Sequence, residues 1–88
     1  MSFNREILIE QGLEDVVLLE PSYLDEAIVG MSHDDRVIYD FDLLAKAYME
    51  HDGMSLDEAT EWIDYNTIRS LPYVSNSPIV MYNVSNYV

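Results

Sequence analysis

Four carboxylates fall within one short segment of the chain: Asp57, Glu58, Glu61 and Asp64. On a helix, Asp57, Glu61 and Asp64 share a face at i, i+4 and i+7, with neighbouring side chains about 5–6 Å apart. Like charges so placed repel by roughly 0.2–0.5 kcal/mol a pair. Asp57 and Glu58 have a local reason to be there, because acids suit the positive end of a helix dipole. Glu61 and Asp64 have none, and neither has a Lys or Arg four residues on. Self-repulsion kept without a local partner points to a basic surface elsewhere; the alternative is a solvated polar face. Carboxylates one turn apart are also spaced broadly like the phosphates of a nucleic acid. A row of them would occupy the Lys and Arg contacts that a protein offers to DNA or RNA.

Other acids extend the row. Asp34 and Asp35 belong to a predicted hairpin tip, and Glu50 and Asp52 lie near a predicted helix turn. Asp40 and Asp42 are further candidates, with Asp42 the weakest because Lys46 lies four residues on. Tyr65 is the expected aromatic anchor beside the acids, and its i, i+4 spacing to Arg69 suits a cation–π pair. Trp62 reads as a core residue. Arg36 and Arg69 are the candidates for neutralising an acid within the fold.

Nucleophilic and nucleotide chemistries lack their residues, and acid–base work by a carboxylate pair, for which the residues are present, needs a cleft that a domain this small rarely encloses. The chain has no Cys, no G-x-S-x-G, no P-loop and no dinucleotide fingerprint. Asp34-Asp35 and Asp40-x-Asp42 do not make a calcium loop, which needs a central Gly and a terminal Glu over twelve residues. His33 and His51 are far apart in sequence, and His51 near a helix C-terminus is explained by the dipole. The expectation is a binding protein with no catalytic residue, no metal and no cofactor.

These side chains need elements to hold them. Phe41, Leu44, Ala47 and Tyr48 make a helical stripe, Asp40 is its N-cap, and Gly53 stands where a left-handed residue closes a helix. Ser55-Leu56-Asp57-Glu58 is a capping box for a second helix, whose apolar edge is Leu56, Ala59 and Ile63, stopped by Leu71-Pro72. An αα-hairpin over about 41–51 and 56–70 follows. Ala27-Ile28-Val29 and Val37-Ile38-Tyr39 flank Ser32-His33-Asp34-Asp35, the pattern of a β-hairpin over about 27–40, with Gly30 marking a bulge. Residues 15–19 read as an N-terminal strand, and residues 3–10 read equally as helix or strand. Ser22 is expected to cap a helical turn at Tyr23–Glu26. Pro78 to Tyr82 reads as a C-terminal strand, either internal to the sheet or a dimer edge. The fold class is therefore α+β, a small sheet packed against an αα-hairpin in one compact domain spanning 1–88.

Charge sets the class of partner. Seventeen Asp and Glu against four Lys and Arg give a net charge of −13, which repels nucleic acid and anionic membranes and attracts basic surfaces. The acids stop at Asp64, and residues 70–88 carry no charge. A hydrophobic share of 49%, with seven Tyr, two Phe and one Trp, is enough for a modest core and unlike a disordered acidic tail. No basic-then-apolar leader opens the sequence, and no apolar run approaches the roughly 20 residues of a membrane span. A soluble protein of the cytoplasm is expected.

The stretch Arg36-Val37-Ile38-Tyr39-Asp40-Phe41, then Asp52-Gly53-Met54-Ser55-Leu56-Asp57-Glu58-Ala59, then Glu61-Trp62-Ile63-Asp64-Tyr65-Asn66-Thr67-Ile68-Arg69, resembles small acidic proteins of bacteriophages and mobile elements of Gram-positive bacteria. The resemblance covers about 27–82 and brings no established activity with it. It implies a phage or mobile-element setting in a bacterial host cell, where small acidic inhibitors of host defence include anti-CRISPR and anti-restriction DNA mimics. The expected function is non-enzymatic: a DNA-mimic, anti-CRISPR-like inhibitor occupying a basic nucleic-acid-binding surface of a host defence or DNA-handling protein. Asp34, Asp35, Glu50, Asp52, Asp57, Glu58, Glu61, Asp64 and Tyr65 are its expected contacts. Neither nucleic acid nor membrane is expected to bind directly. The alternative is an assembly module, homodimeric through its uncharged C-terminal strand, with acidity serving solubility.

Overall fold

The fold turns on one residue at which a strand becomes a helix. The computed structural model describes Glu10, Gly12 and residues 16–87. In it, strand β2 (Val37–Asp40) runs directly into helix α1 (Phe41–Asp52). Asp40 has extended backbone, and its carboxylate accepts the Leu43 amide hydrogen at 3.1 Å. The bond satisfies one of the donors left over at every helix start. At the other end Gly53 adopts a left-handed φ of 69°, which a Cβ disfavours. No atom lies within 4 Å of a Cβ built there, so Gly53→Ala meets a backbone penalty alone. It is expected to cost about 1 kcal/mol, read as a lower urea midpoint with an unchanged slope.

Two residues on, Ser55 and Glu58 close the capping box reciprocally. Ser55 Oγ accepts the Glu58 amide at 3.2 Å, and Glu58 Oε1 accepts the Ser55 amide at 3.1 Å. Helix α2 (Leu56–Trp62) starts there and continues unbroken as a π turn (Ile63–Thr67) and a 3-10 turn (Ile68–Tyr73). Pro72 lies inside that last turn rather than ending the helix before it.

The sheet has the order β1-β2-β3, with β1 (Ile28–Met31) and β3 (Ile79–Met81) flanking β2. The β1–β2 hairpin is antiparallel, and its register slips between Ile28 and Gly30, the bulge that Gly30 predicts. Asp35 at the tip takes a left-handed φ of 62°, a conformation Asp tolerates better than most residues. β3 pairs with β2 in parallel, Ile38 opposite Ile79 and Asp40 opposite Met81. Parallel neighbours need a crossover, and the helical hairpin supplies it. Of the two placements its uncharged sequence allows, internal strand or edge, β3 takes the edge among the described residues. Arg36 fastens the chain just ahead of it, donating to the Ser77 carbonyl at 2.7 Å and to Ser77 Oγ at 3.3 Å. Behind it, Tyr82 stacks on Phe41 with ring centroids 4.9 Å apart.

The core joins the inner face of β2 to the helices: Val37, Tyr39, Phe41, Leu44, Ala47, Tyr48, Ala59 and Ile63 are all buried. The α1 stripe read from the sequence is thus the core face. The α2 edge is narrower than its sequence implies. Ala59 and Ile63 make it, while Leu56 is 57% exposed and Trp62 46% exposed. Ala59 lets the helices approach closely, Ile63 and Thr67 of the π turn that follows are buried, and the indole lies at the surface.

Of the N-terminal strand expected at 15–19, Asp15 lies outside the described residues and Val16–Leu19 forms no strand. It lies as irregular chain against the core, and the Leu19 amide donates to the Tyr39 hydroxyl at 2.9 Å, a side-chain partner in place of a ladder bond. The helix-or-strand question at 3–10 falls, apart from Glu10, outside the described residues. The turn expected at Tyr23–Glu26 is a 3-10 helix, Ser22–Ala27, with Pro21 at the cap position and no side-chain cap, so Ser22 does not have the capping role. The class is α+β as expected: a mixed three-stranded sheet against a helical hairpin. Among the described residues no helix is long and apolar enough to cross a membrane.

Candidate partner-binding groove

The expected contact residues fall into three groups, each held by a different element. The first is a groove of about 520 Å³ along α2 and the π turn, lined by Met54, Glu58, Glu61, Trp62, Tyr65 and Asn66. Its volume lies within the few-hundred Å³ range of ligand sites. Three of the expected contacts, Glu58, Glu61 and Tyr65, meet here. The remaining walls come from Trp62, assigned to the core by its sequence, and from Met54 and Asn66.

Local chemistry explains why the groove exists. The π turn closes with the Ile68 amide donating back to the Ile63 carbonyl, an i→i+5 bond of a kind that recurs at functional sites. Asn66 Nδ2 donates to the Trp62 carbonyl at 3.2 Å, and Ser70 Oγ donates to the Thr67 carbonyl at 2.8 Å. These side chains add bonds to backbone acceptors along the widened turn. The Trp62 ring meets Tyr48 edge-on at 6.5 Å and 62°, so the indole has one supported side and an open one. Burial pushes the Tyr48 hydroxyl pKa up, with Trp62 and Thr67 beside it acting the other way. Tyr65 is 64% exposed, and the Arg69 guanidinium carbon stands 4.8 Å from its ring centroid, the cation–π pair that the spacing predicts.

The electrostatics of this face are one-sided. Glu58 keeps one oxygen on the Ser55 amide. Asp57, Glu61 and Asp64 are exposed and form no ion pair among the described residues. Of the described cations, Arg36 faces Asp34 and Lys46 faces Glu50 at 3.8 Å, away from the groove, while Arg69 stands on the groove residue Tyr65; Arg5 is outside the described residues. Asp57 and Asp64 flank the groove in sequence without lining it.

The second group sits at the C-terminal end of α1. The Tyr23 hydroxyl donates to Asp52 Oδ2 at 2.8 Å, and its ring stacks on His51 at 4.4 Å and 13°. His51 Nε2 lies 2.9 Å from Glu26 Oε1. Glu26, Glu50 and His51 bring one ligand atom each within 4.8 Å of one another, the donor types that zinc takes. All three are exposed, and Glu26 and Glu50 already face His51 and Lys46. The cluster therefore reads as ion pairing at a helix terminus, where cations are favoured. Sequence reasoning explained His51 by the dipole and missed Glu26, which lies 25 residues away and reaches it only through the fold.

Desolvation, then the Asp52 carboxylate, push the Tyr23 hydroxyl pKa from 10.0 up to about 12. The folded state thus favours the neutral phenol. Above pH 10 the unfolded chain releases this proton while the folded chain keeps it. Stability from this group is therefore complete below pH 10 and is lost as pH rises toward 12. Urea midpoints are expected to fall more steeply over that window in the natural chain than in Tyr23→Phe. Tyr48, shifted the same way, leaves the variant a residual slope.

The third group is the hairpin tip. Ser32 Oγ donates to Asp34, whose other oxygen faces Arg36 at 3.8 Å. The Ser32 bond, ahead of the Arg36 charge, holds the Asp34 carboxyl below the usual carboxylate range. Asp34 is thus locally answered, and neither it nor Asp35 lines the groove.

No family model, no curated protein and no solved structure matches the chain.

Proposed function

We propose that this chain is a non-enzymatic binding protein that covers a basic, nucleic-acid-binding surface on another protein. The observation behind this reading is the groove in which the Glu58 and Glu61 carboxylates stand beside the exposed rings of Trp62 and Tyr65. Interfaces draw their energy from a few aromatic and charged anchors ringed by weaker contacts, and this face offers both kinds to a cation. The net charge of −13 raises the encounter rate with basic partners and disfavours nucleic acid itself. The resemblance to phage and mobile-element proteins supplies the setting: a bacterial cytoplasm, with a host defence or DNA-handling protein as target and DNA mimicry, in the manner of anti-CRISPR inhibitors, as mechanism.

Capture from a bacterial lysate on the immobilised chain tests this. The retained proteins are expected to be nucleic-acid binders, released by rising salt and by added duplex DNA. Retention indifferent to both treatments overturns the reading.

A second reading has its own observation. Among the described residues β3 ends the sheet, and the uncharged segments around it expose Tyr73 (90%), Tyr82 (61%) and Val84 (76%). An open strand edge is a template for pairing, which suits a homodimer. A concentration-dependent mass that Val80→Lys abolishes would support it; one mass at every concentration would contradict it.

A further inference from the structure

The groove is also selective among cations, an inference that rests on the reading just given. We propose that it seats an arginine side chain of the partner, stacked on the Trp62 indole with its guanidinium turned to the Glu58 and Glu61 carboxylates. Lysine and arginine carry the same charge but differ in shape and hydration. The guanidinium is planar, weakly hydrated, able to stack on an aromatic face and able to fork two hydrogen bonds to a carboxylate. The ammonium is a compact, strongly hydrated point charge.

The groove has what a guanidinium needs. Two carboxylates lie one helical turn apart at Glu58 and Glu61, and the aromatic rings of Trp62 and Tyr65 line the same groove. Trp gives the strongest cation–π attraction of the three aromatic side chains, and 46% of this one is exposed. Its edge contact with Tyr48 gives the ring a packed neighbour, which lowers the freedom lost when a ligand stacks on it. The chain already performs the same chemistry on itself, with Arg69 4.8 Å over the neighbouring Tyr65 ring. At about 520 Å³ the groove also has room for backbone flanking the arginine.

Trp62 is the sole tryptophan of the chain, so its fluorescence reports on this groove alone. Two peptides of equal length and charge, one carrying arginines and one lysines in a Gly-Ser background, provide the probes. The arginine peptide is expected to change Trp62 emission and to bind about fivefold more tightly or better. Calorimetry, which needs no tryptophan, is expected to find the two peptides equal on Trp62→Leu while circular dichroism stays native. If the natural chain binds both peptides equally, the arginine site is overturned. In that case salt-sensitive binding lost on charge reversal at Glu61 and Asp64 leaves the basic-surface reading standing. If neither peptide binds, the arginine site is again overturned, and the lysate capture separately decides the broader reading.

Discussion

The double variant Glu61→Lys/Asp64→Lys loses its partner while the folded chain becomes slightly more stable. In most proteins a substitution that destroys an interface is neutral or harmful to the fold. Here the two effects separate because the acids repel one another and have no cationic partner among the described residues. Lysine at 61 faces Asp57 four residues earlier, the favourable order of charges on a helix, so that repulsion becomes an attraction of about 0.3–0.5 kcal/mol, while 61 and 64 still repel, now as two positive charges. Against a basic surface the same change sets like charges face to face, at a cost of several kcal/mol. Affinity is expected to fall at least about 100-fold. Neutral Glu61→Gln/Asp64→Gln should fall between, because it removes attraction without adding repulsion. Binding titrations alongside urea denaturation give both numbers. Full affinity in the lysine variant would mean that the α2 face is not the interface.

Leu44→Ala is expected to be the most damaging change to the fold. Leu44 is fully buried in the middle of α1, in a core made with Val37, Tyr39, Tyr48, Ala59 and Ile63. Alanine suits a helix well, so the cost is burial lost and cavity left, about 2–5 kcal/mol. A domain of this size has about 5–15 kcal/mol in total, and the melting temperature should drop by roughly 10–25 °C. The helices frame the groove, so partner binding should weaken at temperatures where the variant is partly unfolded and recover on cooling. A drop of only a degree or two would mean that the core is not organised around α1.

What could be read from the sequence was local. The Asp40 cap, the left-handed Gly53, the Ser55–Glu58 box, the hairpin tip and the Tyr65–Arg69 pair each need only residues a few positions apart. Their chemistry is complete without the rest of the fold. The parallel pairing of Ile38 with Ile79, the Arg36–Ser77 clamp and the Glu26–His51 contact join distant segments, and no spacing rule announces them. Val16–Leu19 has strand-like residues, yet the Leu19 amide found the Tyr39 hydroxyl instead of a neighbouring strand. Of the groove, Glu61 was legible from its helical spacing, Glu58 from the capping box and Tyr65 from its spacing to Arg69, whereas the face read as Asp57, Glu61 and Asp64 supplies only Glu61 to the lining. Trp62 was not, because it lies on the stripe beside Ala59 and Ile63, at the border of core and solvent, where hydrophobicity alone does not fix burial.

Amide chemical-shift mapping of the isotope-labelled chain, titrated with the protein it captures, tests the α2 face most directly. The perturbed amides are expected to cluster between Met54 and Arg69, with the Trp62 indole N–H among them, and to return toward their free positions as salt is raised. Shifts gathered instead on Ile79–Met81, Tyr82 and Val84, and unmoved by salt, would contradict the account and locate the interface on the uncharged edge of the sheet.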